Sequence, residues 1–293
     1  MRHIIKYDYS SQIEADLQSK ALGNPYVAGY NDVIDWDSKA ASSYTQNYES
    51  YFYAISYDSA SLSPANSAVT IYYSTDTGDT KTWTEFTSAV TLSYNKTYFK
   101  ANTADLNVGN KIFDATANYE IGGNIMSLIF GDDFKTKDSY IKSVVGNDAL
   151  FSGDTYLVDA YSLVINLNSA SHSFDSLFRN CTSLTSGPEK IVIRDAGQLA
   201  LPSTFSGCTS LTTAPEIIVE NIAFFSFFNV FANCTNLNSI KFLLKHNNGA
   251  FMPFADWVMG VSQTGTFTKN KDANWWQNGK DGIPTGWTVV DSE

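Results

Sequence analysis

Charge is scarce in this chain, and positive charge is never concentrated. Asp, Glu, Lys and Arg make up 17% of the 293 residues, so the polar surface must come largely from Ser, Thr and Asn. The net charge is −11 and no Lys/Arg cluster occurs. That argues against a nucleic-acid partner, since neutralising phosphates needs a basic face. The negative charge reads as a solubility device. No apolar run approaches the roughly 20 residues that cross a bilayer, so no membrane insertion is expected. The opening Met1-Arg-His-Ile-Ile-Lys-Tyr-Asp-Tyr-Ser10 has no apolar signal core and no cleavage site.

Signatures of catalysis are also missing. His3, His172 and His246 are scattered, with no Cys or carboxylate at ligand spacing, so no zinc site is expected. No Gly-rich phosphate loop follows a strand, and there is no Gly-x-Ser-x-Gly elbow. The nearest carboxylates for glycoside hydrolysis are Asp132, Asp133 and Asp154. Adjacent turn residues point different ways, so no catalytic residue is assigned. Asp76, Asp79, Asp132 and Asp133 lack the ligand spacing of a calcium loop and read as turn chemistry. No enzyme activity, metal or cofactor is expected.

What the chain has instead is a repeat. Phe178-Arg-Asn-Cys181-Thr-Ser-Leu184 returns as Phe205-Ser-Gly-Cys208-Thr-Ser-Leu211 and as Phe231-Ala-Asn-Cys234-Thr-Asn-Leu237, at Phe-to-Phe spacings of 27 and 26. An earlier copy, Phe151-Ser-Gly-Asp154-Thr-Tyr-Leu157, lies 27 residues upstream with Asp in the Cys slot. A fixed period of this size signals a solenoid, with about four repeats between residues 140 and 250. The three cysteines are all repeat cysteines. One per repeat, and an odd total, argue against a disulfide framework. Stacked in a column, Cys181, Cys208 and Cys234 act as small buried apolar residues, alongside a column of Phe178, Phe205 and Phe231. Each repeat adds one apolar strand, expected at Leu163–Asn166, Ile191–Arg194, Ile217–Glu220 and Ile240–Leu244.

The rest of the chain must cap, carry or anchor these repeats. Aromatics reach 14%, with 17 Tyr and 19 Phe, which suits a β-rich fold. Residues 1–48 read as a small N-terminal segment and linker: a short strand around Tyr7, a helix over 12–21, then a hairpin containing Tyr26, Val27 and Trp36. A unit this small has little core of its own and must dock on something. Residues 49–134 read as an immunoglobulin-like β-sandwich with Trp83 in its core. Residues 135–262 hold the repeats. Residues 263–293 read as a C-terminal cap with a final strand pair, needed because an open solenoid end exposes apolar surface and strand edges.

The block Phe205-Ser-Gly-Cys-Thr-Ser-Leu-Thr-Thr-Ala-Pro215 resembles the BspA-like class of leucine-rich repeats. The ending Gly265-Thr-Phe-Thr-Lys-Asn270 … Gly282-Ile-Pro-Thr-Gly-Trp287 and the lead-in Gly123–Phe134 resemble it too. Together they cover about half the chain. Members occur in surface and adhesion proteins of gut Bacteroidetes and in their phages, including crAss-like phages. The opening Ile4–Tyr7 … Asn24–Ala28 … Val33–Trp36 resembles the start of structural proteins of those phages. The missing first Cys (Asp154) departs from the pattern and leaves the number of coils open. The resemblance implies a non-enzymatic virion appendage, a head fibre, tail fibre or decoration protein, assembled in the host cytoplasm. Residues 1–48, with Tyr7, Tyr26, Val27 and Trp36, would meet other virion proteins. The repeats would meet a host-surface glycan or protein, and copies would form a trimer or dimer. The alternatives are a bacterial cell-surface adhesin of the same class and a polysaccharide-degrading spike.

Binding residues are sought where the repeats vary. The Phe224, Phe225, Phe227, Phe228 cluster lies between two repeats, and Phe224 and Phe225 are candidate contacts. Trp275 and Trp276, among polar and charged neighbours, are candidates for an exposed sugar-stacking pair.

Overall fold

The computed structural model describes residues 50–104, 106, 108–142, 148–244 and 249–292, all within one unit, Tyr48–Glu293. Tyr7, Tyr26, Val27 and Trp36 lie outside the described residues, as do the strand, helix, hairpin and linker expected before residue 49.

The described residues are mainly β, with a β-solenoid of about six turns in the C-terminal region. The first half holds β1 (Phe52–Ile55), β2 (Ser61–Pro64), β3 (Ile71–Ser74), β4 (Thr84–Glu85), β5 (Val90–Thr91), β6 (Thr97–Ala101), β7 (Phe113–Ala115) and β8 (Tyr119–Asn124). A short helix α1 (Met126–Phe130), a 3-10 helix (Gly131–Thr136) and β9 (Ser139–Ile141) lead into the repeats. Then come β10 (Leu157–Ser171), β11 (Lys190–Ala196), β12 (Glu216–Ile222), β13 (Ser239–Leu244), β14 (Thr266–Asn270) and β15 (Thr288–Ser292).

One sheet runs through the whole unit, in the order β15-β14-β13-β12-β11-β10-β8-β1-β6-β3-β4, with β9 attached to β10 beside this path. The segments read from sequence as separate sandwich and repeat domains therefore share a sheet. The join is β8, antiparallel to β1 and parallel to β10. A second sheet, β5-β2-β7, lies against the first half. Phe113 on β7 meets Phe52, Phe86 and Phe99 with ring centroids 5.0–6.2 Å apart. All four rings are buried. Trp83 was expected in this core and is not there. It is half-buried, edge-on to Tyr51 at 4.7 Å, with the Lys100 ammonium 4.5 Å over its ring. Phe86, three residues on, takes the core position because alternation along the segment turns it inward.

From β10 onward every neighbouring pair on the path is parallel, so identical positions stack. Ile165, Ile191, Ile217 and Phe242 form one inward column, and Leu167, Ile193, Val219 and Leu244 another. The strands are longer than the apolar runs suggested because the ladder continues into polar flanks such as Asp195 and Asn221. The segment expected as a cap adds two more strands to the ladder, β14 and β15, in parallel register.

The wall behind the strands carries the Phe-x-x-Cys blocks, and its hydrogen bonding is unlike a strand ladder. N–H groups of Leu199, Leu201, Ser203, Phe205 and Gly207 donate to the carbonyls of Phe224, Ser226, Phe228, Val230 and Ala232 on the next turn, at 2.8–3.3 Å. Phe227, Asn229, Phe231 and Asn233 donate in the same sense to Pro253, Ala255, Trp257 and Met259. In these rows donors sit on the earlier turn and acceptors on the later one. Left-handed residues recur along the wall, at Leu199, Ser203 and Gly207, and at Phe225, Asn229 and Asn233. This explains one feature of the repeat motif. The residue before the Cys slot is Gly153, Asn180, Gly207 or Asn233, each with φ between 59° and 77°, a region that Gly and Asn enter most easily.

Candidate interaction surface

The repeated residues build the scaffold. Phe151, Phe178, Phe205 and Phe231 stack with centroids 5.3–5.6 Å apart, and the series ends on Trp257, 6.0 Å beyond Phe231. All five are fully buried. The thiols of Cys181, Cys208 and Cys234 donate to the carbonyls of Phe151, Phe178 and Phe205 on the preceding turn, at 2.9–3.0 Å. Burial pushes each thiol up, to about 12 for Cys234, and none is disulfide-bonded. A thiol kept protonated is a poor nucleophile and a poor metal ligand. Asp154, in the Cys slot of the first copy, is buried and accepts a hydrogen bond from Tyr119 at 2.8 Å. Among the described residues no His, Cys, Asp and Glu cluster could hold a metal ion.

Of the other acidic candidates, Asp132 is also held. Asp132 accepts from Lys100 at 2.5 Å and Tyr51 at 2.8 Å. Burial alone would raise its carboxyl, but these bonds outweigh it and hold it below the usual range.

The outward face of the long sheet is largely paired with itself. Glu216 lies between Lys190, at 3.8 Å, and Lys241, at 2.8 Å, and Arg194 pairs with Glu220 at 3.0 Å. In its first half, Lys96 sits over Tyr53 at 4.2 Å and Lys81 over Tyr98 at 3.9 Å. These aromatic faces are occupied by cations.

Trp275 and Trp276 are not an exposed platform. Both are half-buried and stack on each other at 4.4 Å. Trp276 packs on Trp257, Phe254, Phe242 and Phe267, with centroids 4.8–5.7 Å away. Their indole N–H groups are out of solvent without a partner among the described residues. The pair covers the apolar rings of Phe242, Phe254, Trp257 and Phe267 at the last described turn. Polar sequence neighbours misled here: they lie on the turn around the rings.

Variation between turns is concentrated at the edge where strand meets wall. His172, Leu199, Phe225 and Met252 occupy one column, all with φ between 47° and 54°. The column beside it reads Ser171, Gln198, Phe224 and Phe251. The second column is polar on its first two turns, the first changes from His172 to Leu199, and both are apolar on the last two turns. There Phe224 stacks on Phe225 at 3.9 Å and on Phe251 at 5.9 Å, and Phe225 meets Phe228 at 5.2 Å. Phe251 is 69% exposed and Met252 48%. The structure thus joins Phe224, Phe225 and Phe228 of the cluster seen in sequence to Phe251 and Met252, which sequence reasoning left out, while Phe227 of that cluster is fully buried. The signal was available: moving 27 residues on from Phe224 and Phe225 lands on Phe251 and Met252. Phe224, Phe225 and Phe228 are half-buried, and the exposed Phe251 and Met252 grouped with them make this a candidate contact surface. No protein-family model, curated protein or solved structure matches this chain.

Proposed function

We propose that the chain is a non-enzymatic phage virion appendage, a head-fibre, tail-fibre or decoration protein, whose solenoid presents an attachment surface to the host. In this reading residues 1–48 join other virion proteins and residues 49–134 are an immunoglobulin-like spacer. Copies assemble as a trimer or dimer, so that weak contacts multiply.

The observation that carries the reading is the Phe224, Phe225, Phe228, Phe251, Met252 surface. It sits on a rigid array whose repeated residues are consumed by packing, at positions the packing leaves free to vary. Aromatic side chains and Met are enriched where proteins make contact. That composition fits an apolar protrusion of a host-surface protein. The resemblance of the repeat blocks to the BspA-like class supplies the setting, gut Bacteroidetes and their phages.

The test is binding of the labelled full chain to a panel of gut Bacteroidetes strains. On strains that bind it, Phe224→Ser with Phe225→Ser should weaken attachment at least tenfold. Binding unchanged in that variant, or absent from every strain, would overturn the reading. Antibody labelling of purified particles distinguishes a virion protein from a bacterial adhesin using the same surface.

A further inference from the structure

A buried amine and a buried carboxyl meet where the first half of the unit gives way to the solenoid. Lys142 follows β9, and Asp148 begins the first row of the wall. Both side chains are 5% exposed. The Lys142 ammonium donates to Asp148 Oδ1 at 2.6 Å and to the Leu106 carbonyl at 2.9 Å. The same Oδ1 accepts the Tyr140 hydroxyl at 3.0 Å, and Oδ2 accepts the Phe174 N–H at 2.7 Å. Main-chain bonds hold both residues in place: the Lys142 N–H donates to Ser171 at 3.0 Å, and the Asp148 N–H to Asp175 at 3.1 Å.

We propose that Lys142 and Asp148 condense into an intramolecular amide, a covalent staple between the end of β9 and the first row of the wall. Oδ1 lies one carbonyl bond, about 1.2 Å, from Cγ, so Nζ is no more than about 3.8 Å from the carbon it attacks. Reacting atoms pre-positioned at about 3–3.5 Å gain most of what proximity can give. Burial strips the ion pair of its hydration, which is its main advantage over an amide. It also pushes the Asp148 carboxyl up, toward the neutral acid that an amine can attack.

The surrounding donors match the steps. A proton passes from the Lys142 ammonium to Oδ1, leaving a neutral amine and a carboxylic acid. Nζ attacks Cγ, and the electron pair of the C=O bond moves onto Oδ2, where the Phe174 N–H stabilises the charge. The Tyr140 hydroxyl relays a second nitrogen proton to Oδ1. The Cγ–Oδ1 bond breaks, water leaves, and the carbonyl at Oδ2 reforms. Two hydrogens of the ammonium and one carboxylate oxygen depart as that water, and nothing is oxidised or reduced. The staple is independent of the Phe/Met surface and of the attachment reading.

Intact-mass spectrometry of the purified full chain under denaturing conditions tests this, since a non-covalent pair is invisible there. The main species should be one water lighter than the sequence mass. Peptide mapping should place the link between Lys142 and Asp148, with no tryptic cleavage after Lys142. Lys142→Arg keeps the charge, cannot close the amide, and should show its full sequence mass. Tyr140→Phe keeps the ring, removes the relay, and should slow closure at least tenfold, leaving mostly full-mass chain in fresh preparations. A wild-type chain at its full sequence mass overturns the proposal whether or not any variant folds. So does a water loss that maps elsewhere or persists in Lys142→Arg. Closure in Tyr140→Phe as fast as in the wild type overturns the part given to its hydroxyl.

Discussion

Phe205→Ala is the sharpest probe of the scaffold. Phe205 is fully buried, with Phe178 5.3 Å before it and Phe231 5.6 Å after it. Truncating a buried Phe costs about 3–5 kcal/mol in lost transfer energy and cavity. Two stacked ring pairs are lost as well, each worth roughly 0.5–1.5 kcal/mol beyond area burial, so the upper part of the range is expected. Each turn contacts only its neighbours, so the damage should also weaken the coupling between the turns on either side. The matched control is Phe251→Ala: that ring is 69% exposed, and the change should cost about 0.5 kcal/mol or less. Urea unfolding followed by Trp fluorescence is the assay. Trp257, Trp275, Trp276 and Trp287 all lie beyond Phe205, so emission reports chiefly on the far end of the array. Phe205→Ala should move that transition to markedly lower urea, ahead of the far-UV circular dichroism of the first half. A cost below about 1 kcal/mol, or equal costs for the two variants, would refute the stacked-column account.

Further outcomes follow from the same geometry. Gly153 and Gly207 both have positive φ, but a Cβ on Gly207 would clash with Asn180 Oδ1, whereas one on Gly153 meets nothing within 4 Å. Gly153→Ala should cost about 1–2 kcal/mol of backbone strain. Gly207→Ala should cost more in thermal melting, and Asn180→Gly, which removes the clashing Oδ1 and keeps the positive φ, should recover the difference. The folded thiols titrate above their ordinary value of 9.0, at about 12 for Cys234. A raised folded pKa means stability is intact below pH 9 and falls as pH climbs toward 12. Replacing Cys234 with Ala should flatten that alkaline slope in melts at stepped pH. Asp281 accepts the Asp256 N–H at 2.6 Å at the end of the wall. Asp281→Asn should speed hydrogen exchange at Asp256 while leaving Phe205 unchanged.

The period was legible because stacking writes the same demand into every turn: a ring, a left-handed Gly or Asn, a thiol, a Leu. Strand cores were legible too, since Ile191-Val-Ile193 and Ile217-Ile-Val219 are β-branched runs. Their ends were not, because polar residues such as Asp195 join the ladder only when a neighbour offers a partner. The shared sheet was hidden for a related reason. Its join passes through Gly122-Gly123, where the Tyr53 ring fills the space over Gly122, and no local pattern records which strand will pair there. Trp83, Trp275 and Trp276 show the limit of composition: an indole reads alike in a core, an end plug or a surface. The interaction surface was half legible. Phe224 and Phe225 stood out by density, while Phe251 and Met252 belong with them only once the turns are superposed.

The one-way bonding of the wall has a further consequence. Where donors all point one way, peptide dipoles add along the axis instead of cancelling. Along the wall, the two faces of a turn are then electrically unlike: one offers amide hydrogens, the other lone pairs. A 26- or 27-residue block can be duplicated or removed within the array and still find its complement above and below, whereas an inverted block cannot. Length in this architecture is therefore free to drift by whole turns, carrying the variable edge positions with each copy, while orientation is locked by the backbone.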